Sequence, residues 1–142
     1  MPNLKRFSVA VPEKLLEKFD SYIQKEGYPN RSKVIVDLIN KTLIRDSWHK
    51  KEEVAGTIVL VFDHHKHNLS RKLTEIQHDF YEIIISSQHI HFSHDSCMEI
   101  IIVKGQADKI LTLASKIRRE KGIFHFEIVM TGTGDILHQT NH

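Results

Sequence analysis

Cysteine is almost missing from this chain: Cys97 is the only one among 142 residues. A single thiol cannot form an intramolecular disulfide, so no covalent crosslink holds the fold together. Cys97 is therefore free to be a metal ligand, a nucleophile or a small buried side chain.

Long apolar runs are missing too, because no stretch approaches the roughly 18–20 apolar residues that span a bilayer. The first residues also lack the charged, apolar and small-residue pattern of a signal peptide. A composition of 40% hydrophobic and 27% charged residues is typical of a globular protein, and no repeat or low-complexity tract is visible. We therefore expect a cytoplasmic protein with no membrane partner.

Charge and histidine are distributed unevenly along the chain. Residues 1–51 hold 11 Lys and Arg against 6 Asp and Glu, whereas residues 52–142 hold 9 against 12. Ten of the 11 histidines lie in that second part. Since positive charge attracts phosphates and imidazole binds transition metals, the two parts of the chain suit different partners.

The first part has the pattern of one strand and two helices. Residues 4–11 alternate between apolar and polar side chains, which is typical of a strand with one buried face. Pro12 suits the first turn of a helix, and Gly27 suits its end. After a turn at residues 29–32, a second amphipathic helix is predicted to run to about Trp48.

One strand and two short helices cannot close a hydrophobic core alone, because the strand has no partner and the helices bury too little surface. Two intertwined copies remove the problem: their strands pair, and four helices pack beneath the ribbon. The pattern therefore predicts that residues 1–48 form a dimeric ribbon-helix-helix domain (β-α-α).

The second part predicts a different, α+β domain. Residues 49–53 form a charged linker, residues 54–131 follow the order β-α-β-β-α-β, and residues 132–142 form a loose tail. This order is the split βαβ pattern of ferredoxin-like and ACT-like domains. The predicted strands are 54–63, 80–92, 97–104 and 122–130, and the predicted helices are 70–78 and 107–121.

Four metal-binding side chains are spaced for a common site in this second domain. His89 and His91 are two residues apart in a predicted strand, so their imidazoles leave the same face. Cys97 opens the next strand after a short turn, and His78 ends the preceding helix. Three imidazoles and a thiolate suit nickel, copper or zinc and suit magnesium or calcium poorly.

Another group of histidines, His64, His65 and His67, follows the first strand of this domain. A weaker second metal site is one interpretation. An exposed, solvated loop is the favoured one, since clustered exposed histidines need no partner.

The basic first part predicts contacts with duplex DNA. A two-stranded ribbon fits the major groove, so the outward side chains of Arg6, Ser8 and Ala10 would meet base edges. The start of the second helix, at Arg31 and Ser32, would direct its amides at a phosphate, although the same residues also make a simple helix cap.

Taken together, these motifs resemble the nickel-responsive regulator (NikR) family. The resemblance covers nearly the whole chain, through RFSVAV, GYPNRS, DHH, IQH and HIHFSHDSCMEIIIVKG. It implies a homotetramer, a dimer of dimers, in which four ferredoxin-like domains are flanked by two ribbon-helix-helix dimers. It also implies one planar Ni²⁺ per subunit, with His78 from one subunit and His89, His91 and Cys97 from its neighbour.

The resemblance further implies that Gln77 and Glu99 orient the ligands. The chain departs from the family at Leu60 and Phe62, where some members carry tyrosines near the metal. Lys33 replaces an acidic residue that helps to bind a cation in one branch of the family, so a potassium site there is in doubt, although Asp37 remains.

We therefore predict a nickel-responsive transcriptional regulator, a repressor that binds operator DNA when nickel fills the site. An ACT-type regulator that responds to a small molecule is the main alternative, and a sensor of zinc or another metal is a second. An antitoxin-like DNA-binding dimer remains open as well. We expect no enzyme, because four protein ligands leave no open metal position and no H-E-x-x-H motif occurs.

Overall fold

The computed structural model of the chain describes residues 3–66 and 68–134. Within these ranges the chain forms two compact units, residues 3–43 with Gly134 and residues 44–133. No helix of the described residues combines the length and apolarity that crossing a bilayer requires. The elements are the helices α1 (Glu13–Glu26), α2 (Arg31–His49), α3 (Leu69–Asp79) and α4 (Ala107–Arg118), and the strands β1 (Glu53–Phe62), β2 (Ile84–His91), β3 (Cys97–Gln106) and β4 (Ile123–Thr131).

Local capping sets the bounds of the helices in the first unit. Gly27 adopts a positive φ of 76°, and its N–H donates to the carbonyl of Gln24 at 3.3 Å, which ends α1 as expected of glycine. The side chain of Asn30 accepts the backbone N–H of Lys33 at 2.9 Å and so caps the start of α2.

The stretch before α1, residues 3–12, carries no regular secondary structure. Its apolar side chains lie open to solvent, with Phe7 68% and Val9 64% exposed. The strand predicted over residues 4–11 requires a second copy to pair with, so in a single chain it stays a prediction.

The second unit is a four-stranded antiparallel sheet in the order β2-β3-β1-β4. Helix α3 connects β1 to β2, and α4 connects β3 to β4. This β-α-β-β-α-β arrangement, with β1 and β3 at the centre, is the split βαβ pattern of ferredoxin-like and ACT-like domains. The predicted mixed α+β fold class is confirmed.

One face of the sheet carries the core of this unit. Residues of β1 alternate between buried and half-buried along most of the strand, as expected of a central strand with one covered face. Helices α3 and α4 supply the opposing apolar side chains. The largest fully buried core side chains are Val54, Ile58, Leu60, Phe62, Leu73, Cys97, Ile101, Val103, Ile110, Leu113 and Ile117.

The last turn of α2 belongs to the second unit and is fixed to its sheet. Trp48 is only 3% exposed, and its indole N–H donates to the carbonyl of Thr131 at 3.0 Å. A Cβ on Gly56 would lie 3.1 Å from the Trp48 ring, so the absence of a side chain there admits the indole. Sequence periodicity predicts the helix but not this anchoring.

Most elements of the second unit lie within two residues of their predicted bounds, but two of them differ by three residues or more. The strand predicted from residue 80 is preceded by a 3-10 turn, Tyr81–Ile83, in which Ile83 is buried against Gly105. Helix α4 ends at Arg118 and not at residue 121, because the chain turns towards Gly122, which has a φ of 96°. His67 and residues 135–142, which include most of the predicted tail, lie outside the described residues.

Candidate metal centre

Three segments of the chain meet at one end of the sheet, where β1 and β2 end and β3 begins. Phe62 at the end of β1 and His91 at the end of β2 both pair with Cys97, the first residue of β3. The loop after β1 carries His64 to the same place. The antiparallel order of the strands thus brings together residues far apart in sequence.

The buried thiol of Cys97 lies between two imidazoles. Its Sγ is 3.2 Å from Nδ1 of His91 and 3.3 Å from Nδ1 of His64. Cys97 is completely buried, His64 is half-buried and His91 is exposed. These three donor atoms lie within 4.8 Å of one another, so one metal ion could contact all of them.

Burial favours the neutral forms of two of these groups. It raises the pKa of the Cys97 thiol, an effect that the nearby carboxylates of Asp63 and Glu99 reinforce. It lowers the pKa of the His64 imidazole, with His65 and His91 acting in the same direction. A neutral thiol beside a neutral imidazole keeps its proton in the absence of metal, and a metal cation must displace that proton.

His89 is oriented by a carboxylate on the neighbouring strand. It pairs with Glu99, and its Nδ1 lies 3.3 Å from Oε1 of that residue. The other carboxylate oxygen of Glu99 accepts a hydrogen bond from the side-chain amide of Gln77. Glu99 is only 7% exposed, so this contact holds the imidazole in place and leaves its Nε2 available to a ligand.

His78 lies in the last turn of α3, and its ring is 6.4 Å from that of Tyr81. It is exposed, and among the described residues it belongs to no group of three possible metal ligands. His89 also belongs to no such group within the described ranges, although its ring centroid is 5.0 Å from that of His91. A single chain thus brings together two of the four predicted ligands, His91 and Cys97, and adds His64.

The predicted histidine loop is divided between two donor groups. His64 faces Cys97, whereas His65 forms a group with His94 and Asp95. Sequence reasoning missed the last two residues because they lie on the turn between β2 and β3. The sequence signal for donor groups here was the D-H-H motif directly after β1, which the pairing of β1 with β3 places beside that turn.

In the first unit, the predicted DNA-binding residues lie in two places. Arg6, Ser8 and Ala10 are exposed in the stretch before α1, and Arg31 and Ser32 are exposed at the start of α2. Arg31 makes two hydrogen bonds, at 2.9 and 2.8 Å, with the carboxylate of Asp20 in α1. Sequence reasoning did not predict this ion pair.

The donors beside Cys97 fit a late first-row metal ion. A thiolate and imidazole nitrogens are the ligands preferred by nickel, copper and zinc, whereas calcium and magnesium prefer oxygen. The site can therefore hold a divalent cation of the first class.

Comparisons with known proteins agree with this chemistry. Residues 55–131 match the family described as the NikR C-terminal nickel-binding domain. A protein of Desulfotalea psychrophila is 43% identical over 135 residues, which cover 95% of this chain and 99% of that protein. A protein of Pyrococcus horikoshii is 47% identical over 130 residues, covering 91% and 94% respectively. Both carry the name "Putative nickel-responsive regulator".

Among solved structures, an uncharacterized protein of Thermotoga maritima is similar with a TM-score of 0.51 and 19% identity. The match covers 56% of this chain and 98% of the Thermotoga chain, and at this identity it supports the fold alone. The family is shown by the sequence matches, which extend over both parts of the chain. This chain is a member of the nickel-responsive regulator (NikR) family.

Proposed function

We propose that the chain is a nickel-responsive transcriptional repressor that binds operator DNA when Ni²⁺ occupies the site at Cys97. The observation that carries this proposal is the buried thiol with imidazole nitrogens at 3.2 and 3.3 Å. Family membership adds to it and also confirms that the chain is a regulator and not an enzyme.

In this proposal one nickel ion per subunit is held by His89, His91 and Cys97 of one subunit and by His78 of another. The position of His78 supports a role between subunits, because it is exposed at the end of α3 and belongs to no donor group of the described residues. Glu99 fixes the imidazole of His89, and Gln77 fixes Glu99. Bound nickel supplies a crosslink between subunits.

His64 is a second candidate for the fourth ligand, because its Nδ1 already lies 3.3 Å from the Cys97 thiol in a single chain. The two candidates make opposite predictions. If His78 is the ligand, His78→Asn abolishes tight nickel binding and His64→Asn does not, and the reverse holds if His64 is the ligand.

The DNA-binding end requires two copies of the first unit. Exposed Phe7 and Val9 gain burial when two stretches of residues 4–11 pair and cover the helices, which leaves Arg6, Ser8 and Ala10 facing the groove. Arg31 and Ser32, at the start of α2, would contact a phosphate. The excess of Lys and Arg in residues 1–51 favours such contacts.

Nickel would act through geometry. Crosslinking subunits of a homotetramer, a dimer of dimers, restricts where the two DNA-binding dimers can lie. Only some placements let both dimers reach their half-sites together, so affinity rises through effective concentration without new base contacts. We place this regulator in the cytoplasm.

The test uses the full-length protein and DNA selected from a random-sequence pool by the nickel-loaded protein. We expect an absorption band of planar nickel–thiolate coordination and binding of the selected DNA that requires nickel. Cys97→Ser should lose both, while the control His125→Asn, a change of an exposed histidine on β4, should keep both.

Three results would contradict the proposal. If no DNA sequence were selected in the presence of nickel, the proposed function as a DNA-binding regulator would be wrong. Tight tetrahedral binding of cobalt without a planar nickel spectrum would indicate a zinc sensor. DNA binding that responds to amino acids and not to nickel would favour the ACT-type alternative.

A further inference from the structure

A second group of metal-binding side chains lies on the two loops beside the site at Cys97. His65 belongs to the loop after β1, and His94 and Asp95 belong to the turn between β2 and β3. All three are exposed, and each offers a donor atom within 4.8 Å of the other two. The group shares no residue with the one formed by His64, His91 and Cys97.

The loop after β1 and the turn between β2 and β3 are in direct contact. The Nε2 atom of His65 lies 2.8 Å from the backbone carbonyl oxygen of His94 and 3.5 Å from Oδ1 of Asp95. The ring centroids of His65 and His94 are 5.0 Å apart. Two imidazoles and a carboxylate therefore converge, with a carbonyl oxygen next to them.

Both loops are held by their own hydrogen bonds. On the first loop, Asp63 accepts the backbone N–H of His65 at 2.9 Å and donates its own N–H to the carbonyl of Gly122 at 3.2 Å. On the turn, the N–H of Ser93 donates to the carbonyl of Ser96 at 3.2 Å, and their hydroxyl groups are 3.0 Å apart. Ligands on fixed loops lose less conformational entropy when they bind than ligands on free ones.

We propose that His65, His94 and Asp95 form a second metal site, which binds a late first-row divalent cation independently of Cys97. Imidazole nitrogens select such cations over magnesium and calcium. Because the three side chains are exposed, water completes the coordination. Without a thiolate, this site binds more weakly than the first and gives no thiolate–metal absorption band.

This site goes beyond the regulatory function, and its test does not depend on that function. Full-length Cys97→Ser protein is titrated with Zn²⁺ or Ni²⁺ against a chromophoric chelator, with and without His94→Asn. We expect His94→Asn to lower the affinity for one metal ion per chain by about tenfold or more. Asp95→Asn should act in the same direction. Neither variant should change the circular dichroism spectrum.

His125→Asn is the matched control, because Nε2 of His125 also lies near a carboxylate, 3.4 Å from Oε2 of Glu127, but no third ligand joins them among the residues that the structure describes. It should leave the titration unchanged. In the presence of Cys97, His94→Asn should also keep the nickel–thiolate band, which separates the two sites. Equal effects of His94→Asn and His125→Asn would overturn the proposal and leave His65 as a simple hydrogen-bonded link between loops.

Discussion

Arg31 is already paired in the free chain, which bears on its proposed role at DNA. Its guanidinium donates two hydrogen bonds to Asp20, and both side chains are about half exposed. An exposed pair of this kind contributes little to stability. A phosphate could therefore share or replace the carboxylate at small cost, and Asp20 would hold the guanidinium in place until DNA arrives.

The pair has a measurable consequence for the titration of Asp20. Hydrogen bonds from Arg31 hold the pKa of that carboxyl below its ordinary value. Because the folded pKa is depressed, the contribution of the pair is present above the unfolded pKa and is lost as the pH falls through the folded one. In Arg31→Gln we expect the Asp20 pKa to return towards its ordinary value, measured by NMR of the carboxyl carbon.

The control is Lys33→Gln, which removes a positive charge two residues away and should leave the Asp20 titration unchanged, since Lys33 pairs with Asp37. An ordinary Asp20 pKa in the unmodified protein would show that the ion pair does not persist in solution.

Neutralising Glu99 should lower the affinity for nickel without removing a ligand. It is buried and holds both Gln77 and His89. Glu99→Gln keeps the volume but removes the anionic acceptor, so we expect nickel affinity to fall about 10- to 100-fold while the nickel–thiolate band persists. Competition with a nickel chelator measures the change.

Glu127→Gln serves as the control for Glu99, because Glu127 is an exposed carboxylate, 3.4 Å from another histidine, on β4. It should leave nickel affinity as it is. Loss of the band in Glu99→Gln would mean that Glu99 is needed for more than orientation of the histidine.

At the residue scale, chemistry was easier to predict than contacts. The side-chain types and their H-x-H spacing mark His89, His91 and Cys97 as possible ligands without any structure. The approach of His64 to Cys97 could not be predicted in this way, because 33 residues separate them. Their contact depends on the pairing of β1 with β3, which local spacing does not encode.

At the scale of elements, periodicity and capping residues predicted most of the observed helices and strands. The 3-10 turn at Tyr81–Ile83 was missed because its apolar residues continue the pattern of β2. The start of β2 at Ile84 depends on a long-range fit: the side chain of Ile83 lies where a Cβ on Gly105 would be. The packing of Trp48 against Gly56 is another contact of this type.

The end of α2 should depend strongly on Trp48. The indole is buried and donates to the carbonyl of Thr131. Trp48→Ala leaves a cavity and should cost about 3–5 kcal/mol. Trp48→Phe keeps most of the packing but loses the donor, and it should cost about 1–3 kcal/mol. Thermal melts of the metal-free protein give the order of the effects.

His49→Ala changes the next, exposed residue of the same helix and should barely alter the melt. If Trp48→Ala were as mild as His49→Ala, the last turn of α2 would not be fixed to the sheet in solution.

At the scale of the whole molecule, the part of the chain that the structure describes leaves at least two surfaces without a partner. In the first unit, apolar residues of the stretch before α1 are exposed, and in the second unit β2 is an edge strand whose residues are almost all exposed. Sequence reasoning predicted the need for a second copy at the first surface. It had no means of predicting whether the edge strand β2 meets another subunit, since that depends on how whole chains assemble.

Mixing two inactive variants tests whether each nickel ion joins two subunits. If the ligands are His78 of one subunit and His89, His91 and Cys97 of another, His78→Asn and Cys97→Ser homotetramers both lack the planar nickel spectrum. In a heterotetramer the intact His78 of one variant meets the intact Cys97 of the other, so the spectrum should return. Co-expression with two affinity tags and tandem purification isolates that species, and absorption with added nickel measures it. Two differently tagged copies of His78→Asn are the control and should restore nothing. If His64 were the fourth ligand, His78→Asn alone would keep the spectrum, and no mixture would rescue Cys97→Ser.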